Sequence, residues 1–110
     1  AADYIDLLQR RAAWIQAVEQ QLTDFDAMIM PTVPVVAPTI AELQDDDVYH
    51  KTNLLILRNP TFINFLDGCA VSLPCHAPGT APVGFSIAAA GGQDKTVLAI
   101  AKAVEALLHN

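Results

Sequence analysis

Several short stretches hold residue types that could do chemistry. Cys75-His76 sets a thiol beside an imidazole, the material of nucleophilic catalysis, with a second thiol at Cys69. Neighbours on an extended chain point to opposite sides, so this pair is not expected to touch. Structural zinc needs closely paired ligands, and Cys69, Cys75, His76 and His50 lack that spacing. The two serines, Ser72 and Ser86, lie inside apolar runs rather than on the strained, exposed turn that activates a hydroxyl. Asp45-Asp46-Asp47 has no second oxygen cluster and reads as a solvated turn or helix start rather than a metal site. Gly91-Gly92 before a capped helix could hold an anion, although a plain strand-to-helix turn explains it as well. Arg58-Asn59, read as the end of a helix before Pro60, offers a fixed cation and an amide where a cleft could form; an exposed helix-terminal arginine is the other reading. None of these assembles a complete catalytic apparatus.

The elements that must position these residues follow from apolar spacing. Ile5, Leu8, Ala12, Ile15, Val18 and Leu22 recur every three or four positions, which predicts an amphipathic helix over 3–23. The run after Asp24, up to Met30, is too short for a helix and suits a buried strand ended by Pro31. PTVPVVAP, 31–38, removes amide donors and fixes an extended path, suited to a wall or lid edge. Val48–Arg58 reads as a helix, interrupted at Pro60 before a second short helix over 61–66. CAVSLP (69–74) and PVGFSIAA (82–89) are nearly continuous apolar runs, the pattern of strands covered on both faces. Gln93 or Asp94 can cap a last helix with Val97, Ala101, Val104 and Leu108 on one stripe. The order of helices and strands is that of an α/β fold, one domain over 1–110 without an internal boundary.

Composition excludes some partners. Six cations stand against twelve acids, a net charge of −6, and no basic cluster exceeds Arg10-Arg11. A nucleic-acid surface needs concentrated positive charge, so that partner is disfavoured. No apolar run reaches the roughly 18 residues of a membrane span, and AADYIDLLQRR does not read as a leader, so the expected setting is cytoplasmic, with no membrane partner. Extended geometry would part Cys69 and Cys75 by roughly 20 Å, beyond disulfide reach, so both thiols are expected reduced. A hydrophobic fraction of 53% is high for so small a domain; some of that surface is expected to face a partner or further chain, a homodimer included.

Three stretches in order, "DFDAMIMPTVPVVAP", "RNPTFINFLDGCAVSLPCHAPGTAPVGFSI" and "GGQDKTVLAIAKAVEALL", are similar to an Asp-rich turn, strand and Pro-Thr-x-Pro run; a Thr-x-x-Asn helix, apolar strand, loop and Pro-x-Gly strand; and a closing Gly-x-x-Asp helix. In that order and spacing the chain resembles the C-terminal part of the amidase signature family, serine hydrolases that cleave amide bonds. The resemblance covers nearly all of the chain but only roughly the last quarter of a family member. It implies a mixed β-sheet covered by helices, of which this chain supplies the C-terminal portion, completing the sheet and walling the substrate cleft. It also implies that the nucleophilic serine, the second serine that relays the proton and the lysine base lie upstream, so that the chain alone is inactive, no residue in it is catalytic, and no cofactor or metal is called for. The implied partners are a small-molecule amide and the remainder of an amidase chain. One departure is Asp67-Gly68-Cys69 after Asn64, where many members have Gly-x-Pro. An Asp-x-Cys-Ala form is similar to allophanate hydrolases and some bacterial amidases. The glutamyl-tRNA amidotransferase component related to these enzymes, its A-type chain, tends to carry an acid where this chain has Leu57-Arg58. That exchange suggests a substrate with an anionic end.

Ligands of open α/β sheets collect beyond strand ends. Thr32 and Pro34 are therefore expected as cleft wall and Arg58 and Asn59 as polar contacts to substrate, with Cys69, Ser72 and Cys75 in the core. The residues taken without the resemblance also fit a non-catalytic binding or interaction module.

Overall fold

The computed structural model describes residues 1–108. Helix α1 (Ala2–Leu22) leads into strand β1 (Met28–Pro31), a proline-rich passage and a short 3-10 turn (Ala41–Leu43). Helix α2 (Asp46–Phe65), strands β2 (Cys69–Pro74) and β3 (Gly84–Ala89), and helix α3 (Asp94–Leu108) complete the order. The chain is thus α/β, as expected. The three strands form one sheet in the order β1-β3-β2, with both pairings antiparallel.

Register decides which side chains share a face. Ser72 lies opposite Ser86 and Val71 opposite Ile87, while Met30 lies opposite Ser86 from the other side. Leu73, Ile87 and Ala89 therefore point to one face, where they meet Val97 and Ala101 of α3, with Cys69, Val71, Phe85 and Val104 packed around them. Alternation along the strand then sends Ser72 and Ser86 to the opposite face.

Several expectations are corrected. Pro60 does not divide α2, which runs through it from Asp46 to Phe65. A proline in a helix forfeits one backbone hydrogen bond and costs about 3 kcal/mol. The turns beyond it are held by tertiary contacts: Ile63 and Leu66 are buried, and Trp14 of α1 packs its ring against Phe62 and Phe65 at 5.5 and 5.2 Å. β2 is not covered on both faces, since its burial alternates residue by residue, whereas β3, the central strand, is buried along Ser86–Ala89. Cys75 and Ser72 are not core residues: both are exposed, Ser72 because of its parity and Cys75 because it lies just past the end of β2. Cys69 is half-buried at the core's margin, and both thiols are free. In α1 the first half of the expected stripe, Ile5, Leu8 and Ala12, is exposed; the half-buried face consists of Arg11, Trp14, Ile15, Val18 and Leu22. Leu108 at the end of the α3 stripe is likewise exposed.

The fold is thin. Its extents are 48 × 41 × 17 Å and its radius of gyration is 16.8 Å, against about 13 Å for a compact domain of this length. α1 buries no residue, and strands β1 and β2 each leave one edge without a partner among the described residues. No helix among these residues is long and apolar enough to cross a membrane.

Candidate functional site

The sheet face turned away from α3 carries the polar groups. Thr32, one residue past β1, extends the ladder by donating its amide to the Gly84 carbonyl at 2.8 Å. Its hydroxyl thereby reaches Ser72 Oγ at 2.5 Å and Ser86 Oγ at 2.9 Å, joining a hydroxyl just past β1 to one within β2 and one within β3. Gly84 makes this meeting sterically feasible: a Cβ there would lie 2.5 Å from Thr32 Oγ1 and 2.6 Å from Ser72 Oγ, closer than non-bonded atoms approach.

Helix α2 faces this cluster across a cavity of about 300 Å3, lined by Thr32, Ser72 and Ser86 on the sheet side and by Asn59, Ile63 and Asn64 on the helix side. None of the lining residues is acidic, basic or a histidine. Among the described residues, the cavity brings these hydroxyls together with the amides of Asn59 and Asn64. Another cavity, about 280 Å3, lies at the C-terminal end of α1. It holds the carboxylates of Glu19 and Asp26, both on exposed residues, but gathers no comparable hydrogen-bonded cluster.

The four expected site residues separate. Thr32 and Asn59 line the same cavity; Pro34 and Arg58 are not among its lining residues. Asn59 Nδ2 donates to the Pro31 carbonyl at 2.7 Å, tying α2 to the end of β1 directly before Thr32. Arg58 is exposed and sits mid-helix rather than at a helix end, its Nε donating weakly to Asn59 Oδ1 at 3.4 Å. Pro34 is half-buried in the proline-rich passage. Cys75 Sγ lies 3.5 Å from the Val83 carbonyl, and no group of three or more His, Cys, Asp or Glu among the described residues could hold a metal ion.

The end of α2 that lines the cavity is set from α1. The chain leaves the helix with Asp67 at φ 55°, a left-handed conformation, while the Asp67 and Gly68 amides donate back to the carbonyls of Asn64 and Ile63 at 3.3 and 3.1 Å. This closing turn satisfies carbonyls that a helix end leaves open. Arg11 completes it, donating to the Phe65 carbonyl at 2.9 Å and to the Asp67 carboxylate at 2.6 Å, with its guanidinium 5.1 Å from the Phe65 ring centroid. A cation at a helix C-terminus is favourably placed against the helix dipole. Gly68 follows because a Cβ there would meet the Ala89 carbonyl at 2.6 Å.

Sequence reasoning missed Ser72 and Ser86 as partners of Thr32, and it missed Arg11 with Asp67. Strand parity was a usable signal for Ser72, since Cys69 and Ser72 cannot face the same side of one strand. Register and the path of α1 carry no local signature.

A family-wide sequence profile described as Amidase matches residues 1–98. Among curated proteins, a 2-amino-5-chloromuconic acid deaminase of Comamonas testosteroni is 28% identical over 86 residues, 77% of this chain and 19% of the relative. The A-type component of a glutamyl-tRNA(Gln) amidotransferase from Halobacterium salinarum is 30% identical over 103 residues, 93% of this chain and 24% of the relative. The chain thus spans about a fifth to a quarter of the length of these relatives. No solved structure matches.

Proposed function

As the chain belongs to the amidase family, we propose that it is the C-terminal part of a hydrolase of linear amide C–N bonds, acting in the cytoplasm. The family match carries this reading. The attacking serine, the relay serine and the lysine base belong to the upstream part of such an enzyme; this segment completes the sheet and walls the cleft. Thr32 and Pro34 form the wall, while Arg58 and Asn59 make the polar contacts. For Arg58 the contact is to an anionic end of the substrate; the name of the Comamonas relative, which specifies an acid, is in keeping with it.

The test compares the 110-residue chain with the same chain joined to the upstream part of its protein, on simple aliphatic and aromatic amides. Hydrolysis is expected only from the joined protein. Hydrolysis by the short chain, abolished by Cys75→Ala, would replace this reading with a thiol enzyme. A second reading, one component of an amidotransferase complex, is favoured by the name of the Halobacterium relative. It requires that the joined protein gain activity only with further components.

A further inference from the structure

The hydroxyl cluster has a proton left over. Three hydroxyls carry three protons, and the two contacts of Thr32 with Ser72 and Ser86 consume two of them. Whichever way each O–H turns, one remains, and all three residues line the cavity. Burial selects where it sits. Ser86 is 8% exposed, Thr32 is half-buried and Ser72 is exposed, and an unused donor costs least where it is most accessible. Ser86 therefore donates to Thr32, Thr32 donates to Ser72, and Ser72 turns its proton into the cavity. Each bond in such a chain polarises the next, so the outer hydroxyl is a better donor than an isolated serine. Asn59 adds a second neutral donor: one Nδ2 proton goes to Pro31 and the amide carries two.

We infer that Ser72 is a specificity-determining donor for an oxygen acceptor, a carbonyl or a carboxylate, on the molecule bound in this cavity. The inference rests on the amide-cleft reading and adds to it the chemical class of the substrate's second polar group. Ser72 touches substrate as an uncharged hydrogen-bond donor and takes no part in proton transfer at the scissile bond.

The test uses the whole enzyme and three amides of equal chain length: an ω-amido acid, its ω-keto analogue and the plain alkyl amide. Ser72→Ala withdraws the spare proton to Thr32, 2.5 Å further back. It is expected to raise KM about three- to tenfold for the keto amide, and up to about a hundredfold if the acceptor is the carboxylate, with kcat held and the alkyl amide unaffected. Ser72→Thr, which keeps the hydroxyl, is expected to restore KM. The size of the effect on the acid relative to the ketone tells which oxygen is bound. An equal rise on all three amides, or no rescue by threonine, would overturn the inference and leave the cluster a strand tie. Should the wild-type enzyme hydrolyse none of the three, the amide reading fails separately. Calorimetric titration of the same compounds then decides: binding of the oxygen-bearing pair that Ser72→Ala weakens supports the donor, and binding indifferent to the substitution, or none, overturns it.

Discussion

Arg11→Ala tests whether α1 holds the turn that frames the cavity. The Arg11–Asp67 pair is partly solvated, with side-chain exposures of 27% and 68%, so it contributes about 0.2–1 kcal/mol. The bond to the Phe65 carbonyl and the placement at a helix C-terminus raise the total to about 1.5–2.5 kcal/mol. Loss of that much local stability should speed amide hydrogen exchange at Asp67 and Gly68 about 10- to 60-fold in the whole protein, with β3 amides unchanged. Asp67→Gly sharpens the test. Glycine removes a left-handed conformation that costs roughly 1 kcal/mol or more in a residue with a side chain, but it also removes the ion pair. In the native background these effects nearly cancel. With Arg11→Ala already present no pair is left to lose, and exchange should slow about fivefold, the equivalent of about 1 kcal/mol. Exchange within twofold of wild type in Arg11→Ala, or an identical effect of Asp67→Gly in both backgrounds, would refute the account.

Gly84→Ala should lower stability by about 1–3 kcal/mol, read from the denaturant midpoint, because the new Cβ collides with both Thr32 and Ser72; a shift below about 0.5 kcal/mol would contradict the packing. Glu42 accepts hydrogen bonds from the backbone and the hydroxyl of Thr39, and these hold its carboxyl below the usual value of 4.5. Its contribution is therefore present above that value and lost as pH falls through the lowered one, so a carbon-detected NMR titration should place the Glu42 midpoint below 4.5, and a midpoint at or above it would deny the turn. Arg58→Ala in the whole enzyme should cut kcat/KM about ten- to a hundredfold on an anionic amide, about 1.5–3 kcal/mol, and spare neutral ones; equal losses would make Arg58 structural. The 110-residue chain alone should self-associate in light scattering through its open strand edges and apolar faces, and a monomer with one cooperative melt would favour a self-contained binding module.

What the sequence made legible was local. β2 is bounded as expected because Gly68 and Pro74 punctuate it on either side. The α3 stripe was readable where Val97 and Ala101 recur at helical spacing and are buried. Pro60 misled because the cost of a proline is a local quantity, while the burial of Ile63 and Leu66 that outweighs it is tertiary. The site divided along the same line. Thr32 was placed from the end of a recognisable strand, and Asn59 from an expected helix end before Pro60 that α2 runs through; both line the cavity. The meeting of Thr32 with Ser72 and Ser86 depends on register across two antiparallel pairings, which no single segment encodes. Arg11 has acceptors more than fifty residues away, so no local pattern marks its role.

The two faces of the sheet differ in how they are held, and the candidate site lies on the weaker one. On the α3 side, Leu73, Ile87, Ala89, Val97 and Ala101 form a continuous buried cluster. On the other side, α2 buries only Ile63 along its length and α1 buries nothing; their attachment runs through Asn59 to Pro31, through Arg11, and through the ring contacts of Trp14. Local opening should therefore begin where α1 and α2 meet and leave β3 and α3 intact. Leu54, Leu57 and Phe62 are exposed on α2, as are Tyr4, Ile5 and Leu7 on α1. A cover over these exposed apolar residues would bury them and stabilise the weaker face, which the α3 side does not need.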